Sequence, residues 1–238
     1  MLKALLTDID GTITEPNRRI STGSIEKIRS LVDSGIEVVL ASGNTSCFME
    51  ALCKMIGTQG TFIAENGGVF RVGYGGPLHI KGDQKICREA LAVVQDHYRP
   101  LGRELELFSP TYRFSDLAFA RTVPAEEVKE LLRDQPVQVI DTGYAIHLQA
   151  TGINKGTALI ALAPEMGLSP VDFLAIGDSV NDLQMLMTAG IGITVANAHP
   201  DIKAVAAFVA KKGYGDGFVE ALEKYNPYFL ARKRSTTI

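Results

Sequence analysis

Four acidic residues fall in two clusters, and each cluster closes an apolar run. Ala4 to Thr7 leads into Asp8-Ile9-Asp10-Gly11-Thr12, and Phe173-Leu174-Ala175-Ile176 leads into Gly177-Asp178-Ser179-Val180-Asn181-Asp182. Carboxylates at the end of a buried strand are costly unless something compensates their charge. A divalent cation does so, and a set of hard oxygen ligands suits magnesium. Each cluster also has a plainer reading. Asp10-Gly11 fits a solvated turn, and Asp178 with Ser179 fits a helix N-cap, where acids are favoured. Capping accounts for one acid. It does not account for two clusters that each close a strand, which together form a group of carboxylates unable to stay ionised at close range without a metal.

Two further positions carry chemistry. Ser42-Gly43-Asn44 ends another apolar run, Ile36 to Ala41, so Ser42 offers a hydroxyl and the following backbone N–H groups can meet phosphate oxygens. A plain Ser-Gly turn is the alternative. Lys155, in Ile153-Asn154-Lys155-Gly156, opens a helical stretch. A cation opposes the helix dipole there, which points to another purpose, and lysine is a common point-charge partner for phosphate. The alternative is a solvated surface lysine.

The elements that position these residues alternate. Strands are expected at 4–7, 36–41, 61–64, 173–176 and 191–195. Helices are expected at 22–34, 47–56, 155–166, 181–189, 200–207 and 217–224, with a short edge strand at 208–209. This βα alternation argues for an α/β fold: a doubly wound, Rossmann-like parallel sheet covered by helices on both faces. The texture changes past Gly73-Tyr74-Gly75-Gly76-Pro77. A helix at 86–98, a strand at 112–122, a helix at 124–133 and a hairpin around Asp141-Thr142-Gly143 read as an inserted α+β unit. The expected division is a discontinuous core of residues 1–77 and 152–238, with a smaller domain at 78–151.

Asp8-Ile9-Asp10-Gly11-Thr12, Ser42, Lys155 and Gly177-Asp178-Ser179-x-Asn181-Asp182 resemble, in order and spacing, the four motifs of the haloacid dehalogenase superfamily of phosphatases. The likeness spans nearly the whole chain. The insertion resembles the cap of the Cof-like branch, as does Glu65-Asn66-Gly67-Gly68, and the size is similar to that of archaeal-type phosphoglycolate phosphatases. The resemblance implies that Asp8 is the nucleophile and Asp10 the general acid and base. It implies that magnesium is held by Asp8, Asp10 and Asp178, with Asp182 either a ligand or a support. Ser42, Gly43, Asn44 and Lys155 would bind the phosphoryl group, with Asn181 supporting Lys155 or the metal shell. Arg113, Arg121 and His147 are the cap candidates for a substrate carboxylate. The implied activity is hydrolysis of a small phosphorylated metabolite, with 2-phosphoglycolate favoured. A sugar-phosphate phosphatase, a phosphomutase or a non-catalytic phospho-binding module are the alternatives.

Composition narrows the setting. The 238 residues carry a net charge of -3 and have no basic stripe, which argues against a nucleic-acid partner. Arg232-Lys233-Arg234 reads as a solvated tail. The apolar run behind Met1 is too short for a membrane span. Cys47, Cys53 and Cys87 fit neither a zinc pair nor a disulfide framework and are expected to be reduced and structural, hence a cytoplasmic protein acting as a monomer or homodimer. Gly73-Tyr74-Gly75-Gly76 does not sit at a first strand–helix turn with dinucleotide-binding spacing, so a nucleotide-dependent oxidoreductase is unsupported.

Overall fold

In the computed structural model, residues 1–229 are described, and the Arg232-Lys233-Arg234 expectation lies outside them. In chain order the elements are β1 (Ala4–Asp8), α1 (Thr22–Asp33), β2 (Glu37–Ala41), α2 (Ser46–Ile56), β3 (Phe62–Ala64), β4 (Val69–Arg71), β5 (His79–Ile80) and α3 (Gln84–Tyr98). They continue with β6 (Asp116–Ala120), α4 (Ala125–Leu131), β7 (Val137–Asp141), β8 (Ala145–Ala150) and α5 (Lys155–Glu165). The chain then runs through β9 (Phe173–Ile176), α6 (Leu183–Thr188), β10 (Ile191–Thr194), α7 (Pro200–Val205), β11 (Phe208–Val209) and α8 (Tyr214–Tyr225).

The large sheet has the order β11-β10-β9-β1-β2-β3-β4-β5. It is parallel from β11 to β3, and β4 and β5 add an antiparallel edge. The sequence does not mark that edge: Val69–Arg71 follows Gly67-Gly68 and His79–Ile80 comes just after Gly76-Pro77, so neither stands out as an apolar run. Side-chain alternation covers both faces of the sheet. Leu5, Val38, Leu40 and Leu174 pack toward α1, α2 and α8, whereas Leu6, Val39, Phe173 and Ala175 pack toward α5, α6 and α7. β1 lies in the middle, with β2 on one side and β9 on the other. The chain winds outward from β1 in both directions, which makes its carboxyl end the switch point where open α/β sheets bind ligands.

A second sheet, β6-β8-β7, is antiparallel throughout. Leu117, Phe119, Ile146 and Leu148 pack against α3 and α4. Their neighbours Asp116, His147 and Gln149 alternate to the other face. The strand expected at 112–122 is shorter than anticipated: Ser109 turns left-handed, Pro110–Tyr112 forms a helical turn, and Phe114 is exposed. The helix expected at 181–189 starts with one tight turn at Val180–Asp182 before α6.

All three cysteines are free. Cys53 and Cys87 are buried, but Cys47, also expected to be structural, is exposed at the start of α2. No helix among the described residues is long and apolar enough to cross a membrane.

Candidate active site

The first acidic loop leaves the sheet at Asp8, level with Ala41 of β2 and one residue beyond the Thr7–Ile176 pairing with β9. Three loops therefore open at one edge, carrying Asp8 and Asp10, Ser42 to Asn44, and Asp178 to Asp182. Gly11 is where two of them touch. Its φ is +87°, and a Cβ there would stand 2.3 Å from Asp178 Oδ2. Thr12 Oγ1 donates to Asp178 Oδ1 at 3.1 Å, tying the first loop to the third.

Lys155 is fully buried, and its Nζ bridges Asp8 Oδ1 at 2.5 Å and Asp182 Oδ1 at 2.6 Å. Its position follows from local chemistry. Asn154 and Thr157 form a reciprocal capping box, so α5 begins at Lys155 and aims its side chain at the strand ends. The unfavourable helix-dipole position noted in the sequence is compensated by the two carboxylates. Burial works against its charge, but Asp182 and Asp8 outweigh it and hold the ammonium above its usual range.

The carboxylates still outnumber this cation. Asp8, Asp178 and Asp182 bring oxygens within 4.8 Å of one another. Burial, then Asp182, push Asp8 well above the usual carboxylate range despite Lys155. The same two causes push Asp178 up to about 7. An excess of buried negative charge on oxygen ligands is the environment a hard divalent cation relieves, so these residues fit one. Asp182 has other partners as well: its Oδ2 accepts the N–H groups of Asp178 and Ser179, both at 3.0 Å.

Ser42 Oγ, almost fully buried, accepts from Asn44 N at 3.1 Å and from Asn44 Nδ2 at 2.9 Å, which leaves its own hydroxyl hydrogen to donate. Asn44 Nδ2 is also 3.4 Å from Asp10 Oδ2. Asn181 lies in the same cleft but donates to Asn66 Oδ1 at 2.9 Å and not to Lys155 or an acid, which places it beside the second loop.

The cap candidates separate. Arg113 and His147 line the cleft, a space of about 580 Å³. Arg113 is buried and donates to Asp116 Oδ1 at 2.6 Å, to Phe108 O at 2.9 Å and to Gly43 O at 3.2 Å. His147 Nδ1 pairs with Asp116 Oδ2 at 2.9 Å. Burial would raise Asp116, but His147 and Arg113 outweigh it and hold this carboxyl low. Arg121 does not join them. It follows the parity of Leu117 and Phe119, so it falls on the opposite face of the small sheet, where it pairs with Asp141 on the exposed surface.

Glu65 is a residue the sequence reading left without a role. It is fully buried at φ +50°, and its Oε2 accepts the N–H groups of Phe114, Ser115 and Asp116 at 3.0, 2.7 and 3.2 Å. Its own carbonyl accepts from Gln149 Nε2 at 2.7 Å. It thus fastens the large sheet to the start of β6 and to β8. Its partners lie 49 to 84 residues away, so no local pattern marks it.

A profile of the haloacid dehalogenase-like hydrolases matches residues 5–100 and 114–222. The chain is 58% identical over 234 residues to a phosphoglycolate phosphatase of Methanoculleus marisnigri, covering 98% of this chain and 100% of that one. It is 49% identical to a phosphoglycolate phosphatase of Methanospirillum hungatei over 98% of this chain and 100% of the relative. Among solved structures it is similar to Thermoplasma acidophilum 0175, with a TM-score of 0.81 and 27% identity, covering 95% of this chain and 99% of that one. The site geometry and these matches agree: the chain belongs to the haloacid dehalogenase-like hydrolase family.

Proposed function

We propose that the chain is a magnesium-dependent phosphomonoester hydrolase whose favoured substrate is 2-phosphoglycolate, released as glycolate and inorganic phosphate. One observation carries the reading: a buried nucleophile candidate, Asp8, is paired with a buried lysine at the switch point of the sheet, beside the Ser42 hydroxyl. The names borne by relatives at 58% and 49% identity support the substrate. Residues 1–77 and 152–238 form the catalytic core and residues 78–151 the cap. The enzyme works in the cytoplasm as a monomer or homodimer.

In the proposed reaction, an Asp8 carboxylate oxygen attacks phosphorus and the ester P–O bond breaks. Asp10 gives its proton to the leaving alkoxide oxygen. Asp10 is partly exposed, as proton exchange requires. It then takes a proton from a water whose oxygen attacks phosphorus, and the P–O bond to Asp8 breaks. Lys155 holds Asp8 in place, and Ser42, its Oγ held by Asn44, meets the transferring oxygens with the N–H group of Gly43, so positioning and charge balance carry most of the catalysis. Magnesium would be held by Asp8, the carbonyl of Asp10 and Asp178. When bound, it neutralises charge on the phosphoryl oxygens. Asp182, its oxygens engaged by Lys155 and two amides, fixes the others from behind, and Asn181 steadies the Asn66 side of the cleft.

The test is Asp8→Asn with magnesium and 2-phosphoglycolate. Phosphate release should disappear while the denaturation midpoint stays near that of the parent. Turnover surviving in this variant refutes the nucleophile. The cleft volume also admits a sugar phosphate, so the substrate screen includes hexose phosphates. Turnover of these with none of 2-phosphoglycolate overturns the substrate.

A further inference from the structure

Arg18 stands at the tip of the turn behind the first acidic loop. The turn is tight: Arg18 N donates to Glu15 O at 2.8 Å, Glu15 N donates to Arg19 O at 2.7 Å, and Thr14 bridges to Ile20. Arg18 takes a left-handed backbone, φ +68°, where glycine or asparagine is far less strained than a long side chain. The guanidinium carbon lies 3.9 Å over the ring of Tyr144, which belongs to the inserted unit. One Nη is 3.3 Å from Asp10 Oδ1, and the half-exposed side chain lines the cleft.

Among the described residues lining that cleft, the permanently cationic ones are Arg18 and Arg113. Arg113 is only 5% exposed and spends its Nε and Nη1 on Asp116 and two carbonyls, whereas the Arg18 side chain is 50% exposed. His147 shares the same Asp116, and Lys155 is enclosed between Asp8 and Asp182. Arg18 differs from all three. A guanidinium has five N–H donors, and one on Asp10 with a face on Tyr144 leaves others for a planar anion.

We propose that Arg18, held against Tyr144, binds the substrate carboxylate and thereby selects short phosphomonoesters whose acid group stands next to the ester oxygen. This rests on the phosphomonoester hydrolase reading above. Asp10 serves the ester oxygen, and Arg18 touches Asp10. In 2-phosphoglycolate a single methylene separates that oxygen from the carboxylate carbon, so an acid at that spacing comes beside the guanidinium. Without this cation, Asp8, Asp10 and Asp178 would repel the substrate's second anion.

The experiment compares kcat/KM for acid and neutral esters in the holoenzyme with magnesium. The acids are 2-phosphoglycolate, 2-phospholactate and 3-phosphoglycerate; the neutral counterparts are ethyl phosphate and p-nitrophenyl phosphate. Arg18→Ala disturbs Asp10 and slows every substrate, so the readout is the ratio of acid to neutral ester. That ratio should fall roughly ten- to hundredfold in Arg18→Ala, mostly through KM, as for loss of a hydrogen bond to a charged group. Arg18→Lys should recover part of it, and Tyr144→Leu should lower it less. An unchanged ratio in Arg18→Ala overturns the proposal even with 2-phosphoglycolate as the best substrate. A parent enzyme that prefers neutral esters overturns it too. A preference for another short phospho-acid, lost in Arg18→Ala, sinks the 2-phosphoglycolate assignment and upholds Arg18.

Discussion

Lys155→Met tests the centre of the site. The methionine keeps the apolar stem but removes an ammonium that is fully buried and donates to two carboxylates at 2.5 and 2.6 Å. Removing one partner of a buried ion pair costs about 3–5 kcal/mol, because the remaining charge is left uncompensated. Here two partners are stranded, and Asp8 is already held above its usual range. Urea denaturation at pH 7.5 with a chelator should therefore show the variant less stable by about 4 kcal/mol. Saturating magnesium stabilises any folded state that binds it, by about 2.7 kcal/mol at a hundred times Kd. The deficit should thus shrink when magnesium is added, since the same excess charge that destabilises the variant attracts the cation. The initial rate of phosphate release should fall about 10²–10³-fold, as for removal of a donor to the developing charge. A variant that loses less than ~1 kcal/mol, well below the range for a broken buried pair, would show that the lysine is not the counter-ion described. A deficit identical with and without magnesium would refute the shared-charge argument.

Two further outcomes follow from the contacts between the sheets. Burial and then Asp116 push Glu65 up to about 7 from 4.5, against the pull of the Ser115 and Phe114 amides and Arg113. The folded protein therefore binds this proton more tightly than the unfolded chain. The stability it contributes is complete below 4.5 and is lost as pH rises through 7, roughly 3 kcal/mol in all. Glu65→Gln can still accept the three amides through its carbonyl oxygen, so the parent's stability relative to this variant should decline by that amount between pH 4.5 and 7.5; a constant difference counts against it. Arg113→Ala strands the buried Asp116 and should cost about 3 kcal/mol in thermal or urea unfolding. Arg121→Ala, at an exposed pair, should cost under about 1 kcal/mol and leave kcat/KM unchanged; equal losses in the two variants would contradict the assignment of faces.

The site was legible where chemistry and local pattern conflict. Acids at the ends of apolar strands and a lysine at a helix N-terminus are locally unfavourable, and each conflict resolves in the cluster of Asp8, Asp178, Asp182 and Lys155. Strand β1 and the hairpin of β7 and β8 were legible from apolar runs and an Asp-Thr-Gly turn. What stayed hidden depends on distant partners or on strand parity. Arg113 and Arg121 look alike in sequence, yet the former is buried by contacts with Gly43, Phe108 and Asp116, while the latter faces outward. Arg18 reads as a solvated loop residue beside Asn17 and Arg19, and nothing local shows that Tyr144 lies beneath it.

The middle position of β1 has a consequence for how the chain reaches this state. The strand is synthesised well before β9, so one of its edges waits for that partner, and Asp8 waits for a lysine 147 residues downstream. A nascent chain ending before β9 can pair β1 with β2 and β2 with β3 but presents an open apolar edge and an uncompensated acid. Closure of such long-range parallel pairings is slow, because loop entropy must be overcome before the contacts form. The phosphoryl site is therefore assembled only after Lys155 and Asp182 have been synthesised, and a product carrying Asp8 without Lys155 has no counter-ion with which to bury it.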